Sequence, residues 1–219
     1  MKKIAVIMPT FNRSDTLSEV LLGLERQSYK NFEVIVVDDG SAAKDINEQI
    51  VNKNYGFPIK YFYQTNKGPA AARNLGIKNV PTEIDLVMFI GDDIIPSKYM
   101  LEQHVSYHEL FPEINKAVLG LTLWDESVRD KFMDFLAPYG PQFNYTGLSD
   151  KNECDYRYLH TCNISFKKEL ISGFLFDEEI KIAAFEDTEL GFRMAKQTGF
   201  KIIYNPNALA YHKHIYNRK

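Results

Sequence analysis

Short apolar runs and amphipathic segments alternate through the first half of the chain. Residues 4–8 carry no polar side chain and predict a first strand. Leu17, Val20, Leu21 and Leu24 recur at helical spacing, which predicts a helix to residue 27 with Ser14 or Asp15 as its cap. The β-branched run at 32–37 predicts a second strand buried on both faces, as in a parallel sheet. The same reading gives a helix over 43–54, a strand over 59–63 and a helix over 68–79 opened by Gly68 and Pro69. It continues with a strand over 85–90 and a helix over 96–110. Beyond that the rhythm is looser. A strand is expected over 117–123, a return to the sheet over 156–166, a helix over 185–198 and a short strand over 201–204. Between 125 and 147, Phe132, Phe135, Tyr139, Phe143 and Tyr145 mix with Pro138, Gly140 and Pro141 in no clear period.

Strand and helix in alternation imply an α/β sandwich around a mixed, mainly parallel central sheet. No repeat, low-complexity run or linker divides the chain, so one domain is expected. The polar clusters fall just after predicted strands, where open α/β sheets bind ligands.

Composition narrows the function. With 26 Lys and Arg against 29 Asp and Glu the formal charge is −3, which disfavours a nucleic-acid partner. The two cysteines, Cys154 and Cys162, lack zinc or redox spacing. The basic start followed by a short apolar run ending at Pro9 reads as a strand rather than a signal peptide, and no run is long enough to span a membrane. A cytoplasmic chain is expected, lying at the inner face of a membrane where its acceptor is lipid-linked. The basic, aromatic end from His212 onward reads as a frayed tail or as a contact for anionic lipid or a partner.

Four clusters carry candidate chemistry: Pro9 to Arg13, Asp38 with Asp39, Asp92 with Asp93, and Glu186 with Asp187. Adjacent carboxylates behind an apolar strand need a cation or donors. A divalent ion bridging to phosphates answers that need for Asp92 and Asp93, and a cap on the helix beginning near 96 is the alternative. Asp38-Asp39-Gly40-Ser41 reads as a ligand contact or an ordinary Asx turn. Glu186 and Asp187 open a predicted helix, whose N-terminus keeps a carboxylate ionised or takes it as a cap. His104 and His108, four apart, are expected on the exposed face of a helix. His160 and Asn163 line a ligand site or satisfy the core, and Trp124 stacks on a ligand or seals the core. No G-x-G-x-x-G or P-loop follows the first strand.

VIMPTFNR at 6–13, EVLLGLERQSYKNFEVIVVDDGS at 19–41, NKGPAAARNLGI at 66–77, LVMFIGDDIIP at 86–96, CNISFKKE at 162–169 and FEDTELGFRMAKQTGFKIIYNP at 185–206 together resemble family 2 glycosyltransferases of the GT-A fold. The stretch 124–157 matches least. The resemblance implies one catalytic domain over 1–219, with a nucleotide-sugar half to about 110 and an acceptor and base half beyond. It implies inverting transfer from a nucleoside diphosphate sugar, with UDP the expected carrier, to a saccharide, lipid-linked or glycoconjugate hydroxyl. By the same likeness Pro9, Thr10, Asn12 and Asp39 meet the nucleoside with Asp38 behind. Arg73 lies near base or diphosphate, and Asp92 faces ribose or donor sugar. Asp93 ligates Mn²⁺ or Mg²⁺ with His212 or His214, Asp187 is the base, and Glu186 contacts donor or acceptor. Where many members carry a first acid, this chain has Gly91, so one carboxylate is missing. Inverting transfer needs one base and no nucleophile, which a lone Asp187 satisfies. A nucleotidyltransferase and a non-catalytic nucleotide-sugar binder are the rival readings.

Overall fold

The computed structural model describes residues 1–214. In chain order its elements are β1 (Ile4–Thr10), α1 (Ser14–Glu25), β2 (Phe32–Asp38), α2 (Lys44–Val51), β3 (Ile59–Tyr63), α3 (Pro69–Lys78), β4 (Leu86–Ile90), β5 (Ile94–Pro96) and α4 (Met100–Leu110). Then come β6 (Lys116–Trp124), α5 (Lys131–Leu136), β7 (Glu153–Cys154), β8 (Asn163–Lys167), α6 (Lys168–Ile171), α7 (Glu186–Thr198) and β9 (Lys201–His212). One sheet runs β3-β2-β1-β4-β8-β6-β9-β5, with β7 also on β9. The ladders among β1 to β4 are parallel, as is β6 with β9, while β8 enters antiparallel between β4 and β6. This is the expected mixed α/β sandwich.

Period-two alternation in buried strands builds the two faces. Ile7, Ile35, Val37 and Phe89 face one core with α3 and α7, and Val6, Met8, Val34 and Met88 face another with α1 and α4. Burial of β1, β2 and β4 on both faces explains their unbroken apolar runs.

The departures from expectation have local causes. Neither Ser14 nor Asp15 caps α1; Arg13 takes that position, and the Ser14 hydroxyl is spent on Asn47 Oδ1 at 2.7 Å. The predicted helix at 96 starts at Met100, because Ile94–Pro96 pairs with β9 as a three-residue strand. Instead of four residues, β9 has twelve and runs through Asn205 and Pro206 to His212, with a register shift opposite Gly120 and Thr122. A Cβ at Gly120 would stand 2.2 Å from the Ala208 carbonyl oxygen, so only glycine lets the strands approach there. Only part of the 156–166 expectation is strand: a 3₁₀ turn over Tyr156–Tyr158 precedes β8. Of the aromatics between Trp124 and Tyr158, Trp124, Phe143 and Tyr145 belong to the core, and Tyr145 stacks on Tyr204.

Candidate active site

The carboxyl ends of β1, β2 and β4 bring the first three clusters together. Thr10 closes β1 and donates its hydroxyl proton to Asp92 Oδ2 at 2.8 Å. Asp38 closes β2, fully buried, and accepts from Ser41 N, Asn47 Nδ2 and the Tyr61 hydroxyl. Burial pushes Asp38 up, but those donors outweigh it and hold the carboxyl below its usual range. Asp39 is closed over by the loop before α3: Gln64 Nε2 and Lys67 N donate to Oδ1, and Gly68 N to Oδ2. Asn12, in the left-handed region at φ 56°, ties the loops after β1 and β2 together by accepting from Ala42 N and donating its own N–H to Ser41 Oγ. Pro9 is part of β1, in register with Val37.

Asp92 and Asp93 are each only 6% exposed. Asp92 caps no helix. The Arg13 guanidinium spans the pair, with Nη1 3.1 Å from Asp92 Oδ1 and 2.5 Å from Asp93 Oδ2. His212 Nε2 and His214 Nδ1 converge on the same Asp93 Oδ2 at 3.3 and 3.2 Å. The two carboxyls are pushed in opposite directions. Burial raises both, but hydrogen bonds from His212 and His214 overcome it and hold Asp93 low, and the charge of Asp93 then helps push Asp92 up to about 6. At Gly91 a Cβ would lie 2.9 Å from Asp93 Oδ1, so the missing side chain is what lets that carboxylate fold back.

These residues suit a divalent ion. The ligand atoms of Asp93, His212 and His214 all lie within 4.8 Å of one another. Neighbouring ligands of an octahedral ion with bonds of ~2.1 Å stand about 3 Å apart, close to the two observed spacings. His212 Nδ1 is buried without a hydrogen-bond partner among the described residues; its ring is fixed by stacking on Trp124 at 4.9 Å and 13°. Thus His212 lies on β9 itself, and both histidines left open by the sequence belong to the cluster. Residues 215–219 of the expected tail lie outside the described residues.

The fourth cluster opens α7. Phe185 is held in the left-handed region at φ 70° and is 74% exposed. From that turn Glu186 faces inward and pairs with Arg73 Nη1 at 2.8 Å, while Asp187 lines a cavity of about 670 Å³. Arg73, Phe143, Arg157, Tyr158, His160, Thr161 and Cys162 share that lining. Burial raises Asp187, against Arg73 and the backbone N–H groups of Thr188 and Thr161. This corrects the expectation from the helix N-terminus alone: desolvation wins, and the carboxyl sits above its usual range. Burial likewise raises Glu186.

Ile90 pairs with Asn163, so the chain entering β8 through Cys162 runs beside the exit of β4. Burial and then the charges of Asp187 and Asp93 push the Cys162 thiol up to about 12. Both carboxylates therefore lie near enough to act on one sulfur, although Asp187 lines the first cavity and Asp93 a second one with Arg13 and His214.

Four residues lie in the interior instead. Asn163 lies in the interior, donating to the Leu121 and Ala208 carbonyls, and cannot reach a sugar. Trp124 seals the core and gives its N–H to Met133 O and Ala137 O. His104 and His108, expected at the surface, are each 1% exposed and bind Ser165. His160 does line the cavity and donates Nε2–H to Phe143 O. Sequence reasoning placed Arg13 in the first cluster but gave it no role, because its carboxylate partners lie 79 and 80 residues away.

The sequence profile described as glycosyl transferase family 2 matches residues 5–171. The amylovoran biosynthesis glycosyltransferase AmsB of Erwinia amylovora is 30% identical over 97% of this chain and 71% of its own length. An uncharacterized glycosyltransferase of Rickettsia conorii is 39% identical over 120 residues, 49% of this chain and 20% of that protein, so the chain spans a small part of that relative. Among solved structures, S. aureus TarS 1–349 in complex with UDP-GlcNAc superposes with a TM-score of 0.74 at 21% identity, covering 99% of this chain and 60% of that one. GalNAc-T7 with UDP, GalNAc and Mn²⁺ gives 0.75 at 15% identity, covering 100% of this chain and 45% of the other. At such identities the structures speak for the fold.

Proposed function

Because the chain belongs to glycosyl transferase family 2, we propose that it transfers a sugar, with inversion, from a nucleoside diphosphate donor to a saccharide, lipid-linked or glycoconjugate hydroxyl. One observation carries this reading: two carboxylates of opposite character both lie near Cys162. Asp93 is held ionised among cationic and imidazole groups, and Asp187 is raised at the wall of an open cavity.

In this reading Asp187 takes the proton of the attacking hydroxyl as the new bond forms. A carboxyl raised above its usual value is a stronger base than an exposed one. Glu186 holds Arg73 by a short ion pair, which leaves that cation near Asp187 without a direct bond between them. Phe143, Tyr158 and Phe185 offer apolar faces to a pyranose in the cavity. Thr10, Asn12, Asp38 and Asp39 shape the nucleoside end, Asp39 by setting the loop before α3. Asp93, His212 and His214 would hold a divalent ion, which would neutralise charge developing on the leaving diphosphate. Two imidazoles with one carboxylate favour Mn²⁺ over Mg²⁺, which prefers oxygen ligands. UDP as carrier is supported by the UDP-bound TarS and GalNAc-T7 structures.

The test is a panel of UDP-, GDP- and dTDP-sugars scored for nucleoside diphosphate release with Mn²⁺, Mg²⁺ or chelator. Release from a UDP-sugar that is strongest with Mn²⁺ is expected. No metal-stimulated release from any donor would overturn the reading.

A further inference from the structure

Arg13 occupies an unusual place in the cluster around Asp93. It is the residue before α1, and its guanidinium reaches across to three groups at once. Nη1 meets Asp92 and Asp93, and Nη2 lies 3.2 Å from His214 Nδ1. A guanidinium only donates, so His214 Nδ1 can serve Arg13 only through a lone pair. The same Nδ1 also stands 3.2 Å from Asp93 Oδ2, which it can serve only as an N–H donor. That nitrogen cannot serve both neighbours. A metal ion placed between Nδ1 and Oδ2 would satisfy both atoms, but only if Nδ1 is released from Arg13.

We infer that Arg13 is the built-in counter-cation of the metal-free site and competes with the divalent ion for Asp93 and His214. This rests on the metal role proposed for that cluster. Two features of the surroundings agree. Gly91 leaves the cluster with two carboxylates rather than three, so there is less charge for the one guanidinium to offset when no ion is bound. The Arg13 side chain is 39% exposed and lines a second cavity of about 700 Å³ with Asn12, Lys213 and His214, which gives it room to withdraw. Arg13 is thus a positioning residue. It keeps Asp92 and Asp93 together in the empty site and yields when the ion enters.

The competition sets the sign of an otherwise ambiguous substitution. If Arg13 merely supported the metal ligands, its removal would weaken metal binding. If it competes, removal strengthens binding and destabilises only the metal-free protein. The experiment is calorimetric titration of Mn²⁺ alone into the full chain and into Arg13→Gln, with melting temperatures read with and without Mn²⁺. Arg13→Gln is expected to bind Mn²⁺ at least about ten-fold more tightly, to melt lower when metal-free, and to gain more from Mn²⁺ than the parent chain does. Arg13→Lys, which keeps the charge but cannot span three groups, should fall between and covers the case in which Arg13→Gln folds poorly. Mn²⁺ affinity equal to or weaker than that of the parent chain in both variants overturns the inference. No Mn²⁺ binding by any of the three chains overturns it as well. Because sugar transfer is not read, failure of the activity proposed above would leave this test standing.

Discussion

His104 and His108 stand one turn apart on α4 and point their rings at Ser165, whereas His212 and His214 stand at the end of β9 and turn theirs to Asp93. The first pair is a closed circuit. Lys167 Nζ donates to His108 Nδ1, so His108 Nε2–H donates to Ser165 Oγ. The Ser165 hydroxyl then donates to His104 Nδ1, and His104 Nε2–H to Asn163 Oδ1. Asn163 passes its own protons to two backbone carbonyls. Every ring nitrogen has one neutral task or one cationic donor, and burial lowers both imidazoles, His104 to about 4. The second pair has a carboxylate as its shared partner, and His212 Nδ1 has none among the described residues. Spent valences mark a histidine that holds the fold; convergence on one anion marks a histidine able to hold a ligand.

This contrast can be broken by substitution. The largest effect is expected for Asp93→Asn, which removes the anion common to His212 and His214. Mn²⁺ binding should disappear from calorimetry and metal-stimulated donor turnover should fall by about 100-fold or more. Next, His104→Ala should leave Mn²⁺ affinity unchanged but cost about 3 kcal/mol in urea unfolding, because it strands Ser165 and Asn163 in the interior. Loss of metal binding in that variant would erase the distinction between the pairs.

The third prediction concerns pH. His104 titrates near 6.5 when unfolded and about 4 when folded, so between those values the unfolded chain binds a proton that the native one refuses. Its contribution is full above 6.5 and declines as pH falls to 4, by about 3 kcal/mol. Unfolding curves across that range should show the decline, and it should be shallower in His104→Ala. The smallest effect is expected for Trp124→Phe, which keeps a ring against His212 but loses two hydrogen bonds. A cost of about 1 kcal/mol and a change in Mn²⁺ affinity of only a few-fold should follow. A large loss of affinity would show that the indole, not stacking alone, fixes His212.

The same contrast explains what could be read from the sequence. The units from β1 to β4 were legible because strands buried on both faces carry unbroken apolar runs, and the gathering of Asp38, Asp39, Asp92 and Asp93 at strand ends was legible because adjacent acids directly after such runs need donors or a cation. α4 misled because its polar positions face Ser165 and Asn163 rather than water; a helix covered on more than one side loses its amphipathic signature. β9 was cut short because Asn205, Pro206 and Asn207 resemble a turn, and only the Gly120 approach shows why the strand continues. The role of Arg13 and the place of Phe185 were not legible, since one acts through partners distant in sequence and the other through a left-handed backbone angle.

The central claim is a division of labour between Asp93, on the side of the ion and diphosphate, and Asp187, on the side of the accepting hydroxyl. It is tested most directly by Asp187→Asn, compared with the parent chain for Mn²⁺ affinity, UDP affinity and transfer to acceptor. Both affinities are predicted to stay within about two-fold while transfer falls by about 10²- to 10⁴-fold, the range of a lost general base. Transfer within ten-fold of the parent chain, or a loss of Mn²⁺ and UDP binding equal to the loss of transfer, would contradict the account.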